Sequence, residues 1–218
     1  MTSLDELLQA SHHLASLGLS PGSTGNVSCR MDGAYYMSRS GSQLATLTAA
    51  DMALWRGKDR GCEGPKPTKE FPLHMALYER NPETECVIHL HSPNASAAAC
   101  LEPWSDFSAL PPFSPYFVMR VGNFPMISYR RPGDPVLGEL LRKVRVPFDC
   151  ALMANHGLLA SGSVAEATER CIEIENAAEL TMRLYSLRPD TRPRMLSEDA
   201  CLDLAERNGR PWEQRDFR

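Results

Sequence analysis

The chain has 218 residues, of which 43% are hydrophobic and 23% charged, with a formal net charge of −4. That is enough for a large domain with its own core. The mildly acidic balance, with no basic tail or stripe, argues against a nucleic-acid surface, and the lack of any run of about 18 apolar residues argues against a transmembrane helix.

The opening stretch MTSLDELLQASHHLASLG is acidic and amphipathic, without a basic segment leading into an apolar one. It reads as a helix through about Leu17, broken by Gly18 and Pro21, and not as a secretory signal. A glycine-rich turn, GSTGN, follows. VSCRMDGAYYMS reads as a hairpin turning at Asp32-Gly33. TAADMALW is expected to be a short loop-to-helix element, and RGKDRGCEGPKPTKE a breaker-rich loop. A helix is expected from Glu70 to about Arg80, with Pro72 tolerated in its first turn and Asn81-Pro82 closing it.

CVIHLH is β-branched and apolar, hence a strand, and SPNASAAACL is small and helix-forming. FVMRVG and FPMISY read as two further strands, Pro135 to Val144 as a helix, and CALMAN as a buried strand leading into a loop at His156-Gly157. From Ser163 to about Leu184 runs the strongest helical pattern, with a capping box from Ser163 and Glu166 and an apolar face that includes Ile172, Ala178 and Leu180. The tail from about 188 is polar and irregular, with a short helix near SEDACLDLAERN. The alternation of strands and helices argues for one layered α/β domain over residues 1–218. It does not say whether the sheet is parallel or antiparallel.

Seven cysteines are present, an odd number with no CxxC pair. That pattern fits reduced thiols in the cytosol better than a disulfide framework or a cysteine zinc site.

His89 and His91 are two apart on an expected strand, so their rings face the same way. Their Cα atoms would lie roughly 6.5–7 Å apart, close enough for both imidazoles to reach one zinc ion. His156, after an apolar strand and before a glycine, is the candidate third ligand. Three histidines leave an open position for substrate, as catalytic zinc requires. Glu70, at the start of its helix, suits the helix dipole, but it also suits a general acid/base beside a metal. His12, His13 and His74 lie on expected helices and read as surface or packing residues.

Three further segments can hold an anion. GSTGN, with Gly22, Gly25 and Asn26, can present successive backbone N–H groups. SRSG adds Ser38, Ser40, Gly41 and the cation Arg39, and Thr68-Lys69 adds a hydroxyl and a cation at a helix N-terminus. Each has a bland explanation as a turn or a cap. Gathered by the fold, they would form a phosphate pocket.

The segments STGNVS, SRSG, KPTKE, HLHSP and ANHG occur in one order across about Leu4 to Leu184. In this the chain resembles the class II aldolase/adducin family. The resemblance implies a three-layer α/β/α fold with a central, largely antiparallel sheet, and a homotetramer with active sites at subunit interfaces. It implies one zinc ion per chain on His89, His91 and His156, with Glu70 as an acid/base that can also touch the metal. It places Gly25, Asn26, Ser40, Gly41, Thr68 and Lys69 at phosphate-binding positions. Tyr116 and Arg120 could reach a neighbouring subunit's site.

Family aldolases tend to carry two small hydroxyl residues before the glutamate, where this chain has Lys69 second, and the family's epimerase carries aspartate in place of Glu70. The stretch PPFSPYFVMRVGNFPMISYRRPGDP, with KPTKE, resembles the 3-oxo-tetronate 4-phosphate decarboxylase branch. The expected activity is therefore decarboxylation of a small phosphorylated sugar acid through an enediolate. Cleavage of a ketose phosphate such as fuculose or rhamnulose 1-phosphate is the first rival. A non-catalytic adducin-like binding module is the second, disfavoured because such modules lack the metal histidines.

Overall fold

The computed structural model describes residues 3–57, 61–187 and 192–214. Part of the breaker-rich loop (58–60), the start of the tail (188–191) and residues 1–2 and 215–218 lie outside the described residues.

Helix α1 spans Leu4–Ser16 and opens with a capping box in which Ser3 and Glu6 satisfy each other's backbone N–H. Strands β1 (Asn26–Met31) and β2 (Ala34–Ser38) form the expected hairpin. Its central residues Asp32 and Gly33 both have positive φ, 50° and 73°, the backbone that matches strand twist. TAADMALW departs from expectation. Only Ala49–Asp51 makes a helical turn, and Met52–Trp55 is strand β3, paired with β2. Burial of Met52 and Ala53 beside β2 decides the outcome over local propensity. A two-residue strand β4 (Cys62–Glu63) closes that edge.

Helix α2 (Phe71–Arg80) begins one residue later than expected, with Glu70 as its N-cap. Strand β5 (Cys86–Leu90) and helix α3 (Pro93–Ala98) follow. FVMRVG is not a strand. Pro115–Arg120 is helix α4, capped by Ser114, whose hydroxyl accepts the Tyr116 N–H, and opened by Pro115. Its buried residues Phe117, Val118 and Val121 recur at helical spacing, not in alternation. FPMISY contributes only β6 (Met126–Ile127). Helix α5 (Val136–Lys143) precedes a hairpin of β7 (Cys150–Met153) and β8 (Gly157–Gly162), the second strand being one that the sequence did not announce. Helix α6 (Val164–Tyr185) carries the expected capping box at Ser163 and Glu166. Its buried face runs through Ala167, Cys171, Ile174 and Ala178, whereas Ile172 is half-buried and Leu180 exposed.

The strands form one sheet in the order β4-β3-β2-β1-β5-β8-β7-β6. It is antiparallel throughout except where β6 runs parallel to β7. Helices cover both faces. Leu7, Leu14 and Ile174 from α1 and α6 pack on Val27, Ile88, Leu90 and Leu158. Leu73, Leu77, Leu137 and Leu141 from α2 and α5 pack on Val87, Ala151 and Leu159. Strand alternation therefore sends Ile88 and Leu90 to one layer, and Val87 and His89 to the other.

The tail holds the expected short helix. Helix α7 (Glu198–Arg207) buries Cys201 and Ala205 against Val118 of α4. Arg210 then pairs with Asp149 (2.9 Å) and Glu166 (3.1 Å), and the buried Arg170 reaches the same Asp149 at 3.0 Å. Among the described residues no helix is long and apolar enough to cross a membrane.

Gly157 sits where β8 meets the end of β5. A Cβ there would collide with the Leu90 carbonyl oxygen and lie 3.2 Å from His91 Cδ2. Gly157→Ala should destabilise the protein by about 1–3 kcal/mol, the usual effect of overpacking, and an unchanged denaturant midpoint would show that the two strands yield freely at this point.

Candidate metal centre and anion-binding loops

The end of β5, the turn between β7 and β8, and the N-terminus of α2 meet at one place. His89 is the penultimate residue of β5; His91 lies one residue beyond the strand but keeps its alternation. His156 ends the three-residue turn before β8, where Asn155 takes a left-handed conformation with φ 54°. The three imidazoles stand edge to face with centroids 4.6–4.9 Å apart. Glu70 completes the set: one ligand atom from each of the four residues falls within 4.8 Å of the others. His89, His156 and Glu70 are buried, and His91 is half-buried.

The proton of His89 is fixed by its surroundings. His89 Nδ1 lies 2.8 Å from the Leu158 carbonyl, which can only accept, so Nδ1 carries the hydrogen and Nε2 presents a lone pair inward. That nitrogen is 2.9 Å from His91 Nε2 and 3.3 Å from Glu70 Oε2. His156 Nε2 is 3.1 Å from Glu70 Oε1, yet neither atom has a partner of hydrogen-bonding geometry. Burial lowers the pKa of His89 to about 3 and also lowers that of His91, so both stay neutral at ordinary pH. Burial alone would raise the pKa of Glu70, but the neighbouring His156 and His89 and the hydrogen bond from Asn26 hold its carboxyl well below the usual range. Three imidazoles gathered beside a buried carboxylate are electrostatically favourable around a cation. The residues present therefore fit a divalent metal ion, with three imidazoles and an adjacent carboxylate as its ligands.

The segments behind the ligands are tied down. Glu175 of α6 accepts hydrogen bonds from Asn94 N (2.8 Å), Asn94 Nδ2 (2.8 Å) and Ala95 N (2.9 Å), capping α3 immediately after His91. On the other side, Asn26 Nδ2 donates to Glu70 Oε2 at 2.8 Å and Asn26 Oδ1 accepts from His74 Nε2 at 2.6 Å.

The three candidate anion-binding segments come together beside this cluster. Val27 N donates to Ser38 Oγ (3.1 Å), Thr68 N to the Ser38 carbonyl (3.0 Å) and Ser40 N to the Lys66 carbonyl (3.1 Å). Thr68 Oγ1 in turn accepts the N–H of Glu70 at 3.2 Å. Gly25 is needed for this approach: its φ is +88°, and a Cβ would lie 2.9 Å from the His89 carbonyl oxygen. Ser40 and Gly41 are exposed on their turn. The stem of Lys69 lies against Gly133, whose Cβ would be 3.2–3.3 Å from its carbons, and its charge acts on His91. Arg39 is turned away and bonds Asp51 at 2.7 Å.

Tyr116 and Arg120 stand on α4 and not on a strand. Tyr116 is exposed, and Arg120 pairs with Glu169 (3.0 Å) and Glu173 (3.7 Å) while its guanidinium lies over the Tyr116 ring. Neither touches the metal cluster within the chain. His12 bonds the Leu47 carbonyl, in keeping with a packing role. His74 does more than pack: it is fully buried, and it belongs to a polar chain with Asn26, Ser28 and Tyr78 that the sequence reading overlooked. The signal was available as the four-residue spacing of Glu70, His74 and Tyr78, which lines one face of a helix.

A model of the Class II Aldolase and Adducin N-terminal domain matches residues 5–182. The 3-oxo-tetronate 4-phosphate decarboxylase of Pectobacterium atrosepticum is 36% identical over 190 residues, which is 86% of this chain and 85% of that protein. The 5-methylthioribulose-1-phosphate/5-deoxyribulose-1-phosphate aldolase of Rhodospirillum rubrum is 27% identical, over 92% of this chain and 88% of its own length. The crystal structure of YgbL from Klebsiella pneumoniae superimposes with a TM-score of 0.82 at 34% identity, covering 92% of this chain and 96% of that one.

Replacing His156 by alanine should abolish stoichiometric metal binding, measured by elemental analysis of purified protein. A variant that still holds one ion per chain would remove His156 from the ligand set.

Proposed function

Because the chain belongs to the class II aldolase and adducin family, we propose that it is a lyase that decarboxylates a 3-oxo-tetronate 4-phosphate to dihydroxyacetone phosphate and CO2, with zinc as its metal. Metal dependence is a property of the family, and the convergence of Glu70 on three imidazoles is the observation that carries the reaction class. Three nitrogen ligands suit zinc. The choice of substrate rests on the 36% identity to a curated decarboxylase, against 27% to the aldolase relative.

The substrate carries its ketone at C3 and its carboxylate at C1. Cleavage of the C1–C2 bond releases CO2 and leaves the electron pair between C2 and C3 as an enediolate. When bound, zinc supplies positive charge that stabilises the oxygens on which this negative charge develops. Gly25, Asn26, Ser40, Gly41, Thr68 and Lys69 hold the phosphate end and fix the reacting carbons. Glu70 delivers a proton to C2, giving dihydroxyacetone phosphate, and recovers its proton from solvent. His156, His89 and Asn26 hold its carboxyl well below the usual range. Substrate oxygens that come between Glu70 Oε1 and His156 would weaken that hold and raise its proton affinity where an acid is needed.

Lys69 serves the phosphate or orients the substrate. Charge placed on the leaving carboxylate would stabilise the ground state as well as the transition state and add little to the rate. The assembly we propose is a cytosolic homotetramer with sites at subunit interfaces, an arrangement in which the exposed Tyr116 and Arg120 of one subunit serve the site of the next.

The primary test is to supply the zinc-loaded protein with both C2 epimers of 3-oxo-tetronate 4-phosphate made in situ. Equimolar CO2 and dihydroxyacetone phosphate, abolished by a chelator and restored by zinc, is the expected result. Bound zinc with no CO2 would move the assignment to aldol cleavage of a ketose phosphate, and neither zinc nor CO2 would favour the binding module. Glu70→Gln should retain metal and lower kcat by roughly 10²–10⁴-fold. Lys69→Ser should raise KM with kcat little altered, and kinetics identical to the parent would dismiss the phosphate role.

A further inference from the structure

Beneath the metal cluster a chain of buried polar side chains runs between β1 and α2. Tyr78 Oη lies 2.8 Å from Ser28 Oγ, and Ser28 Oγ lies 2.7 Å from His74 Nδ1. His74 Nε2 is 2.6 Å from Asn26 Oδ1, and Asn26 Nδ2 is 2.8 Å from Glu70 Oε2. Ser28 and His74 are fully enclosed, and Tyr78, Asn26 and Glu70 are 3%, 6% and 4% exposed, so water does not compete for these bonds.

The sense of every bond follows from its neighbour. A carboxylate only accepts, so Asn26 must turn its NH2 toward Glu70 and its oxygen toward His74. An amide oxygen only accepts, so His74 carries its hydrogen on Nε2. Its Nδ1 is then a lone pair and takes the Ser28 hydroxyl hydrogen. With its hydrogen so placed, Ser28 can only accept from Tyr78. Four donors thus point in series at one oxygen of Glu70. They leave Oε1, which is buried without a hydrogen-bond partner and lies 3.1 Å from His156 Nε2, on the side of the metal cluster.

We propose that His74 is a positioning residue for the reaction: through Asn26 it holds Glu70 Oε2 in place so that Oε1 presents its proton to the substrate. This rests on Glu70 being the proton donor. Without the Nε2–H of His74, the Asn26 oxygen loses the donor that anchors it, and the amide is held only by its bond to the carboxylate. Free to swing about that one bond, the amide no longer fixes the direction of Glu70. Asn26 has one amide hydrogen left over for substrate, so its tie to Glu70 does not conflict with a place beside the phosphate.

The test compares His74→Phe, which fills the space without a donor, with His74→Gln, which restores one. In the zinc-loaded enzyme His74→Phe should lower kcat by roughly 10–100-fold, the usual effect of losing an outer partner of a site. KM and zinc content should hold, and His74→Gln should recover most of the rate. The double variant with Glu70→Gln separates the possibilities. If His74 acts through Glu70, adding His74→Phe to Glu70→Gln lowers kcat no further, whereas multiplying losses would mean a general packing role and overturn the proposal. Near-parental turnover in Glu70→Gln alone would instead sink the proton-donor reading itself.

Should His74→Phe fail to fold, Tyr78→Phe and Ser28→Ala carry the same cycle from the far end of the chain. Nitrogen-15 spectra of the histidine rings give a readout independent of turnover: the neutral His74 ring should hold its hydrogen on Nε2. A hydrogen on Nδ1 would reverse the chain and refute the inference.

Discussion

Four potential metal ligands are held in one place. Three imidazoles and a carboxylate present ligand atoms within 4.8 Å of one another, and much of what surrounds them holds that arrangement. The Leu158 carbonyl fixes the tautomer of His89, the cap from Glu175 fixes the backbone just after His91, and the tight β7–β8 turn aims His156. Remove that scaffolding and the side chains would relax apart; with it, the protein offers a metal a nearly finished coordination shell.

The sheet supplies the geometry. Because β1 pairs antiparallel with β5, Asn26 stands directly opposite His89, and Ser28 opposite Val87. The same alternation that sends Ile88 and Leu90 into one core sends His89 toward α2, the helix that Glu70 caps. The polar chain from Tyr78 to Glu70 is thus built from the same facing surfaces as the apolar core beside it. Such a chain is costly to bury in part and rigid once every member is satisfied, which suits a group that must hold one carboxylate oxygen still.

The chemistry explains why one family supports both aldolases and decarboxylases. Each reaction leaves an electron pair beside a carbonyl, which a bound metal's positive charge would stabilise. What differs is the departing fragment, an aldehyde or CO2, and so the residues around it. Lys69, lodged against Gly133 with its charge felt at His91, is one place where this chain departs from the two small hydroxyl residues of the aldolase pattern.

The local elements with strong signals were legible in the residue order: helix α1 with its break at Gly18, the capped helix α6, the Asp32-Gly33 hairpin, and His89, His91, His156 and Glu70 as candidate ligands. These are legible because caps, turns and period-two or period-four spacing are short-range constraints. FVMRVG was misread because its apolar composition suits a strand, while a serine cap and a proline at the first helical position settle it as α4. Strand β8 went unseen because its small residues gain their meaning only from pairing with β5 and β7. The sequence offered His74 and Tyr78 at helical spacing from Glu70, but their role depends on Asn26 and Ser28, nearly fifty residues away along the chain. Only the tertiary structure could decide that, because hydrogen-bond direction is fixed by which donors and acceptors meet in space, and sequence order does not record those meetings.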